Sequence, residues 1–188
     1  MIRYAITDPA YYGRSPKSLE KNLKKVLAQG GIDRICLRDK TTDDYETLAR
    51  TFLSLKPHYP HVAFYLHGFV ELALDLGADG LHLPSHRLKE ITAAAKAGLA
   101  VTASTHTLEE ASVAQRAGAE AITFSPIFDT PGKGPAVGLE KLKEIRDKIS
   151  IKIIALGGIV TPEQIDAVCR AGADGFASIR YFAPKENH

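Results

Sequence analysis

The sequence predicts an α/β protein folded as one compact (β/α)8 barrel of the TIM-barrel class, with a truncated eighth helix. Short apolar runs alternate with amphipathic stretches along the chain, and this alternation indicates parallel βαβ units. Eight such runs can close a barrel, whereas a doubly wound sheet usually has about five or six strands. The first run ends in Thr7-Asp8-Pro9, which lacks the glycine-rich loop of dinucleotide-binding sheets.

The predicted elements follow one another in a regular order. Strands are expected at residues 2–7, 34–37, 63–66, 80–83, 100–104, 121–124, 151–156 and 175–179. Helices, with apolar residues three or four positions apart, are expected at residues 16–29, 43–56, 70–76, 88–97, 108–117, 139–148 and 162–171. Three of these helices are expected to end at a glycine, namely Gly77, Gly118 and Gly172, because glycine readily adopts the left-handed conformation that closes a helix.

The segment after the last predicted strand is too short for a full helix. From Ser178 the sequence continues only to His188, and the chain is shorter than the ~200–250 residues usual for such barrels. We therefore expect residues 1–188 to form a single domain. A second subunit is expected to cover the exposed flank of the barrel in a homodimer.

Composition and charge exclude several classes of function. The chain has 24 basic and 22 acidic residues and a formal net charge of +2, so we expect neither nucleic acid nor a membrane as a partner. No apolar run approaches the ~20 residues that span a bilayer, and a predicted strand begins the chain, so a cytoplasmic location is expected. Cys36 and Cys169 lack metal-ligand spacing and are expected to be buried thiols.

Polar residues at the carboxyl ends of the strands form the candidate site, because this end carries the chemistry of such barrels. Arg38 and Lys40 follow the second strand, separated by one residue, so they lie on the same side of it. A guanidinium fork and a mobile ammonium suit a phosphate or pyrophosphate. Ion pairs with nearby acidic residues are the alternative interpretation.

Two loops that contain glycine follow the sixth and seventh strands. Residues 125–135 form a long connection of the kind that serves as a lid or binding loop, and Lys133 at its tip would contact an anion. A solvated loop is the alternative. Gly157 and Gly158 would let backbone N–H groups approach a phosphate beside a helix N-terminus. A tight turn capped by Thr161 is compatible with that role.

Three further residues stand at strand ends. Arg180 follows the eighth strand, where it would lie near the same phosphate position or pair with Asp8. His67 and His106 follow the third and fifth strands. A histidine in such a position can act as an acid or base near neutral pH, although a single histidine is more often structural.

Taken in order, the motifs resemble the thiamine phosphate synthase and TenI family over nearly the whole chain. The phrases that carry the resemblance are YAITD at residues 4–8, CLRDK at 36–40, GADGLHL at 77–83, STHTLEEA at 104–111, SPIFDTPGK at 125–133 and ALGGI at 155–159. Each phrase is short, but their shared order in one chain is specific.

The resemblance implies a small phosphorylated thiazole or pyrimidine as ligand. The synthase joins an aminopyrimidine pyrophosphate to a thiazole phosphate: pyrophosphate leaves a pyrimidine methyl carbon, and the thiazole nitrogen captures the cation. By resemblance, Arg38 and Lys40 hold the pyrophosphate. Ser104 and Lys133 would lie around it. The thiazole phosphate would lie among the residues that the family pattern places there, Thr130, Gly157 and Gly158.

Two positions depart from the synthase pattern. That pattern places Asn-Asp after the third strand and Asp shortly after the fourth, to hold pyrophosphate and Mg²⁺, whereas this chain has His67-Gly68 and Arg87. Mg²⁺ prefers oxygen ligands, usually carboxylates together with phosphate. We therefore expect no metal-ligating residues in this protein. We name no cofactor, except that Mg²⁺ would be required if the synthase activity is retained.

The same departures favour the TenI branch. TenI, a thiazole tautomerase, also has a glycine in the third-strand phrase and a Leu-Pro-Ser that matches residues 83–85. Its catalytic histidine is replaced here by Pro126, so His67 or His106 is expected to move the proton. Arg180 replaces a serine of the family and would bind phosphate through its guanidinium fork. A divergent thiamine phosphate synthase and a non-catalytic sensor of phosphate ligands are the alternatives.

Overall fold

A computed structural model describes residues 1–185, and its strands form a closed parallel barrel. The strands are β1 (Ile2–Ile6), β2 (Arg34–Leu37), β3 (Ala63–His67), β4 (Gly80–Leu83), β5 (Ala100–Thr105), β6 (Ala121–Phe124), β7 (Lys152–Leu156) and β8 (Gly175–Ser178). They pair in chain order, and β8 pairs with β1 to close the barrel. The predicted (β/α)8 barrel is confirmed.

The helices lie between the strands in chain order and pack against the outside of the barrel. They are α1 (Pro9–Tyr12), α2 (Pro16–Ala28), α3 (Tyr45–Ser54), α4 (Val70–Asp75), α5 (Ile91–Lys96), α6 (Leu108–Ala117), α7 (Gly138–Arg146) and α8 (Pro162–Arg170), with 3₁₀ turns at Lys56–His58 and Ser85–Glu90. The three glycines expected at helix ends have positive φ angles of 69°, 94° and 94°, as predicted.

Two elements differ from the sequence-based expectation. The short helix α1 was not expected; it begins where the Asp8 carboxylate accepts a hydrogen bond from the Ala10 amide. The expected helix at residues 88–97 is divided into a 3₁₀ turn and α5, and Arg87 has a non-helical conformation within that turn. Both differences lie in loops that follow strand ends, close to the candidate site.

The apolar core has two parts. A larger cluster fills the space between the barrel and its helices. A smaller one fills the barrel itself and consists of Tyr4, Ile6, Cys36, Tyr65, Ala121, Ile154 and Ala177. Because side chains alternate along a strand, residues in step with these interior positions continue to the two ends of the barrel. On β2, Arg34 precedes Cys36 at one end and Arg38 follows it at the other.

Within residues 1–185, no helix follows β8. Tyr181 and Phe182 instead pack on the outward-facing Phe176, with ring centroids 5.3 and 5.4 Å from it. Part of this flank is therefore closed by the chain itself. Cover by a second subunit stays a prediction.

The two cysteines have different surroundings. Cys36 is buried inside the barrel, and burial raises the pKa of its thiol to about 12. Cys169 is exposed, so the expectation that it is buried was wrong. It directly follows Val168, which is buried, and one residue along a helix turns the side chain by about 100° toward solvent.

Among the described residues, no helix is both long and apolar enough to cross a membrane.

Candidate functional site

A cavity of about 610 Å³ lies at the carboxyl ends of the strands. Eight of the ten predicted site residues line it: Arg38, Lys40, His67, Ser104, His106, Thr130, Lys133 and Gly157. They come from the ends of β2, β3 and β5 and from the loops after β6 and β7. Closure of the barrel thus brings together residues that are far apart in the sequence.

A second cavity of about 410 Å³ adjoins the first. The other two predicted residues, Gly158 and Arg180, line this smaller cavity together with Asp8. Thr130 and Gly157 line both cavities. Leu156 and Ile179 also line both, so the candidate site consists of two connected compartments that meet at these four residues.

Three cations face the larger cavity. Arg38 donates a hydrogen bond to the Asp8 carboxylate at 3.3 Å. The expected alternative of an ion pair for Arg38 is therefore confirmed, whereas the ion pair of Asp8 with Arg180 is not found within residues 1–185. The charge of Arg38, then burial, then the charge of Lys133 lower the pKa of Lys40. These effects place all three positive groups in one electrostatic environment.

The loop that presents Arg38 and Lys40 is held by the acidic residue between them. Asp39 is buried, and its carboxylate accepts hydrogen bonds from the amides and hydroxyls of Thr41 and Thr42. Burial alone would raise the pKa of Asp39, but these hydrogen bonds lower it. Asp39 is thus occupied in shaping the turn, and it is not among the residues that line the cavity.

Gly157 and Gly158 have positive φ angles of 101° and 69°. A Cβ at Gly157 would lie 2.7 Å from Cα of Pro126, and one at Gly158 would lie 2.6 Å from the carbonyl oxygen of Asp129. The glycines therefore let the loop after β6 pack against the loop after β7. Thr161 caps α8 through a hydrogen bond with the Gln164 amide, as the turn interpretation predicted.

The two predicted catalytic histidines differ in environment. His67 is largely buried, and desolvation, followed by the charges of Arg38 and Lys40, lowers its pKa to about 4. It is therefore neutral and a weak base at neutral pH. His106 is exposed, and its Nδ1 lies 2.9 Å from the carbonyl oxygen of Ser125. Because a carbonyl only accepts, Nδ1 of His106 donates this bond.

Sequence comparison places this site in a known family. The family model described as thiamine monophosphate synthase matches residues 3–182. The chain belongs to this family. It is 38% identical over 185 residues to a protein of Aquifex aeolicus (strain VF5) that carries the provisional name thiamine-phosphate synthase 2, covering 95% of this chain and 96% of that one.

Two other comparisons agree with this assignment. The chain is 34% identical to the thiamine-phosphate synthase of Methanocella arvoryzae, over 98% of this chain and 88% of the relative. The solved thiamine phosphate pyrophosphorylase from Pyrococcus furiosus superposes with a TM-score of 0.80 at 28% identity, over 95% of this chain and 85% of that one. These names favour the synthase alternative over the expected TenI branch.

The strand-end reasoning did not include every residue of the larger cavity. His82 on β4 lines the cavity although it is 2% exposed. Its Nδ1 lies 3.1 Å from the Tyr4 hydroxyl and its Nε2 lies 2.9 Å from Oγ of Ser104. Strand alternation could have found it, because Gly80 and His82 share one face of β4 while Leu81 and Leu83 share the other.

The two positions that depart from the synthase pattern contact each other. The Arg87 guanidinium donates a hydrogen bond to the Gly68 carbonyl oxygen and pairs with Glu90. Among the described residues, no Asp or Glu lines the larger cavity, and no group of three or more His, Cys, Asp or Glu is placed to hold a metal ion. The Mg²⁺ that thiamine phosphate synthesis implies does not fit this donor set.

Proposed function

We propose that this chain is a thiamine phosphate synthase, which couples an aminopyrimidine pyrophosphate to a thiazole phosphate. The observation that carries the proposal is the pair of adjoining cavities, one faced by three cations and the other by Gly158 and Arg180. A coupling of two phosphorylated substrates needs two anion sites side by side. An isomerase that acts on one thiazole phosphate needs a single phosphate site.

The larger cavity would hold the pyrophosphate. The bond between the pyrimidine methylene carbon and the pyrophosphate oxygen breaks, and its electron pair leaves with pyrophosphate. Arg38, Lys40 and Lys133 stabilise the negative charge that develops on this leaving group, because charges fixed in a cavity need no reorganisation during the reaction.

The smaller cavity would hold the thiazole phosphate. Backbone N–H groups of Gly157 and Gly158 and the guanidinium of Arg180 bind its phosphate oxygens. The thiazole nitrogen then donates its lone pair to the pyrimidine methylene cation and forms the new C–N bond. Thr130 and Gly157, which line both cavities, stand where the two substrates meet. No step in this scheme uses a metal ion, because no carboxylate of the described residues lines the larger cavity and the Asp8 carboxylate of the smaller one is paired with Arg38.

A thiazole tautomerase is the second candidate function. It is favoured by one observation: His67 and His106 line the larger cavity, whereas no carboxylate of the described residues does. In that reaction a histidine would remove a proton from carbon and return it elsewhere on the ring. The low pKa of His67 makes it a weak base, so His106 would carry the larger share of this chemistry.

The deciding experiment supplies both substrates to the purified protein and measures thiamine phosphate by chromatography. Omission of either substrate should abolish product. The Arg180→Ala variant should raise KM for thiazole phosphate about tenfold and leave KM for the pyrimidine substrate unchanged. Lys185→Ala, a charge removal later in the same C-terminal segment, is the matched control. Absence of product with both substrates present overturns the synthase proposal, and isomerisation of a thiazole carboxylate phosphate under those conditions establishes the tautomerase instead.

A further inference from the structure

Three polar side chains form a chain of hydrogen bonds from the barrel interior to the wall of the larger cavity. The Tyr4 hydroxyl contacts Nδ1 of His82 at 3.1 Å, and Nε2 of His82 contacts Oγ of Ser104 at 2.9 Å. Tyr4 is fully buried, whereas Ser104 lines the cavity. The three residues belong to β1, β4 and β5, so closure of the barrel holds them in place.

The direction of these hydrogen bonds follows from the surroundings of Tyr4. Burial raises the pKa of Tyr4 well above its ordinary value, so its hydroxyl keeps a proton that needs an acceptor. His82 is its hydrogen-bond partner among the described residues, and the neighbouring sulfur of Cys36 is only a weak acceptor. If Nδ1 of His82 donated instead, the Tyr4 proton would be buried without a good partner. Tyr4 therefore donates to Nδ1.

The tautomer of His82 is fixed as a result. A neutral imidazole carries one proton, and with Nδ1 acting as the acceptor that proton lies on Nε2. Nε2 therefore donates to Oγ of Ser104. Burial, then the charges of His67 and Arg38, lower the pKa of His82 well below its ordinary value, which keeps the ring neutral at neutral pH.

We infer that Tyr4 and His82 are positioning residues that orient the Ser104 hydroxyl as a hydrogen-bond donor to a phosphate oxygen in the larger cavity. Oγ of Ser104 accepts from His82, and among the described residues it has no other hydrogen-bond partner, so its own proton is directed to a ligand. The same arrangement excludes Ser104 as an activated nucleophile, because a protonated Nε2 cannot remove its proton. The identity of the ligand as pyrophosphate rests on the proposed function.

The first test determines the tautomer in the unmodified protein. Nitrogen NMR of protein labelled in its histidine rings distinguishes protonated from unprotonated ring nitrogens, and the His82→Gln variant assigns the His82 signals. We expect a protonated Nε2 and an unprotonated Nδ1 at neutral pH. The opposite tautomer, or a doubly protonated ring, overturns the inference.

The second test is a double-mutant cycle read by calorimetric titration with inorganic pyrophosphate. Ser104→Ala and Tyr4→Phe should each weaken binding, Ser104→Ala by about tenfold. If Tyr4 acts through Ser104, Tyr4→Phe should cause no further loss once Ser104 is Ala. Additive losses overturn the inference.

Matched variants separate this role from a general effect on packing. Tyr65→Phe removes the hydroxyl of another buried tyrosine, 5.7 Å from the Tyr4 ring, and should leave pyrophosphate affinity unchanged. His82→Gln keeps a donor for Ser104 and should retain more affinity than His82→Phe; equal losses count against the inference. A wild-type protein that binds no pyrophosphate overturns the proposed function, while the NMR result still decides the direction of the hydrogen bonds.

Discussion

The two ends of the barrel differ in how their charged side chains are paired. At the amino ends of the strands, Arg34 donates two hydrogen bonds to Glu120 at 2.9 and 2.8 Å, and Lys152 contacts the same carboxylate at 2.5 Å. At the carboxyl ends, Arg38 pairs with Asp8 at 3.3 Å. Within residues 1–185, neither Lys40 nor Lys133 has an ion-pair partner. The charged groups at the amino end are paired with one another, whereas the carboxyl end has a surplus of positive charge.

This difference indicates that the charges at the amino end contribute to stability and those at the carboxyl end to ligand binding. Arg34 begins β2 and Arg38 directly follows its last residue, in step with Arg34. Arg34 is nevertheless enclosed by its partners, whereas Arg38 borders a cavity. A charge that is already paired gains little from a ligand. Unpaired like charges repel one another, and an anion bound among them relieves that repulsion. Residue type therefore says less about role than position along the strand.

The strongest test of this comparison removes positive charge from the carboxyl end. The double variant Lys40→Ala/Lys133→Ala should lower kcat/KM for thiamine phosphate formation at least about a hundredfold, roughly 2.7 kcal/mol, because two charges on the leaving group lose their counterions. Thermal unfolding should change little. The double variant Lys141→Ala/Lys143→Ala removes two exposed charges from α7 and is the control. A loss of less than about fivefold would contradict a role in binding pyrophosphate.

The pH dependence of stability should differ between the two ends. His67 has a folded-state pKa of about 4, below the ~6.5 of an unfolded histidine. The unfolded chain therefore binds more protons, and the contribution of His67 to the free energy of unfolding should fall by about 2 kcal/mol between pH 7 and pH 5. His82, whose pKa is also lowered by burial, adds to this fall. Glu120, whose pKa is lowered by Arg34 and Lys152 against the effect of burial, stays ionised over this range. Its contribution is lost only as the pH falls below the ordinary glutamate pKa.

Urea titrations at the two pH values measure this effect. The His67→Gln variant should show a smaller change between pH 7 and pH 5, whereas His58→Gln, at an exposed position, should behave like the wild type. Equal stability of the wild type at the two pH values would mean that His67 is not held neutral by its surroundings.

The amino end should respond to removal of its shared carboxylate. Glu120→Ala leaves Arg34 and Lys152 without this partner and should reduce the free energy of unfolding by about 1.5 kcal/mol, less than for a fully buried pair because Glu120 is partly exposed. The kcat of the folded protein should be unchanged. Glu144→Ala breaks an exposed pair with Lys141 and serves as the control in the same urea titrations. An altered kcat in Glu120→Ala would show that the ends are not independent.

Much of the fold could be predicted because local patterns determine it. The strand bounds differ from the prediction by at most one residue at either end, and β2, β4 and β6 match it. The rule that chemistry lies at strand ends identified Arg38, Lys40, His67 and Lys133, which do line the cavity. This rule needs only the order of elements along the chain.

The rest depends on contacts between distant strands. Arg38 pairs with Asp8, and hydrogen bonds connect Tyr4 through His82 to Ser104. These contacts join residues from different parts of the barrel, so no local spacing in the sequence encodes them. His82 also lies within a strand that is buried on both faces, where the usual alternation of apolar and polar residues is weak. The exposure of Cys169 likewise depends on how α8 is rotated against the barrel.

The smallest expected effect concerns Mg²⁺ at the carboxyl end. Because the cavity presents cations rather than carboxylates, excess Mg²⁺ in place of EDTA should change the protein's affinity for inorganic pyrophosphate by less than about twofold, measured by calorimetry. Mg²⁺ also binds pyrophosphate in solution, so a protein variant is needed to locate its effect. Arg87→Asp places a carboxylate beside Gly68, where the Arg87 guanidinium now lies. Binding by this variant should become dependent on Mg²⁺.

Lys89→Asp is the matched control for that experiment, because it makes the same change in charge at an exposed position two residues away. It should lower pyrophosphate affinity slightly and to the same extent with and without Mg²⁺. If the wild type already binds pyrophosphate tenfold more tightly with Mg²⁺, the cations of the carboxyl end are insufficient by themselves. The difference in anion binding between the carboxyl end and the amino end would then depend on a metal ion as well as on unpaired lysines.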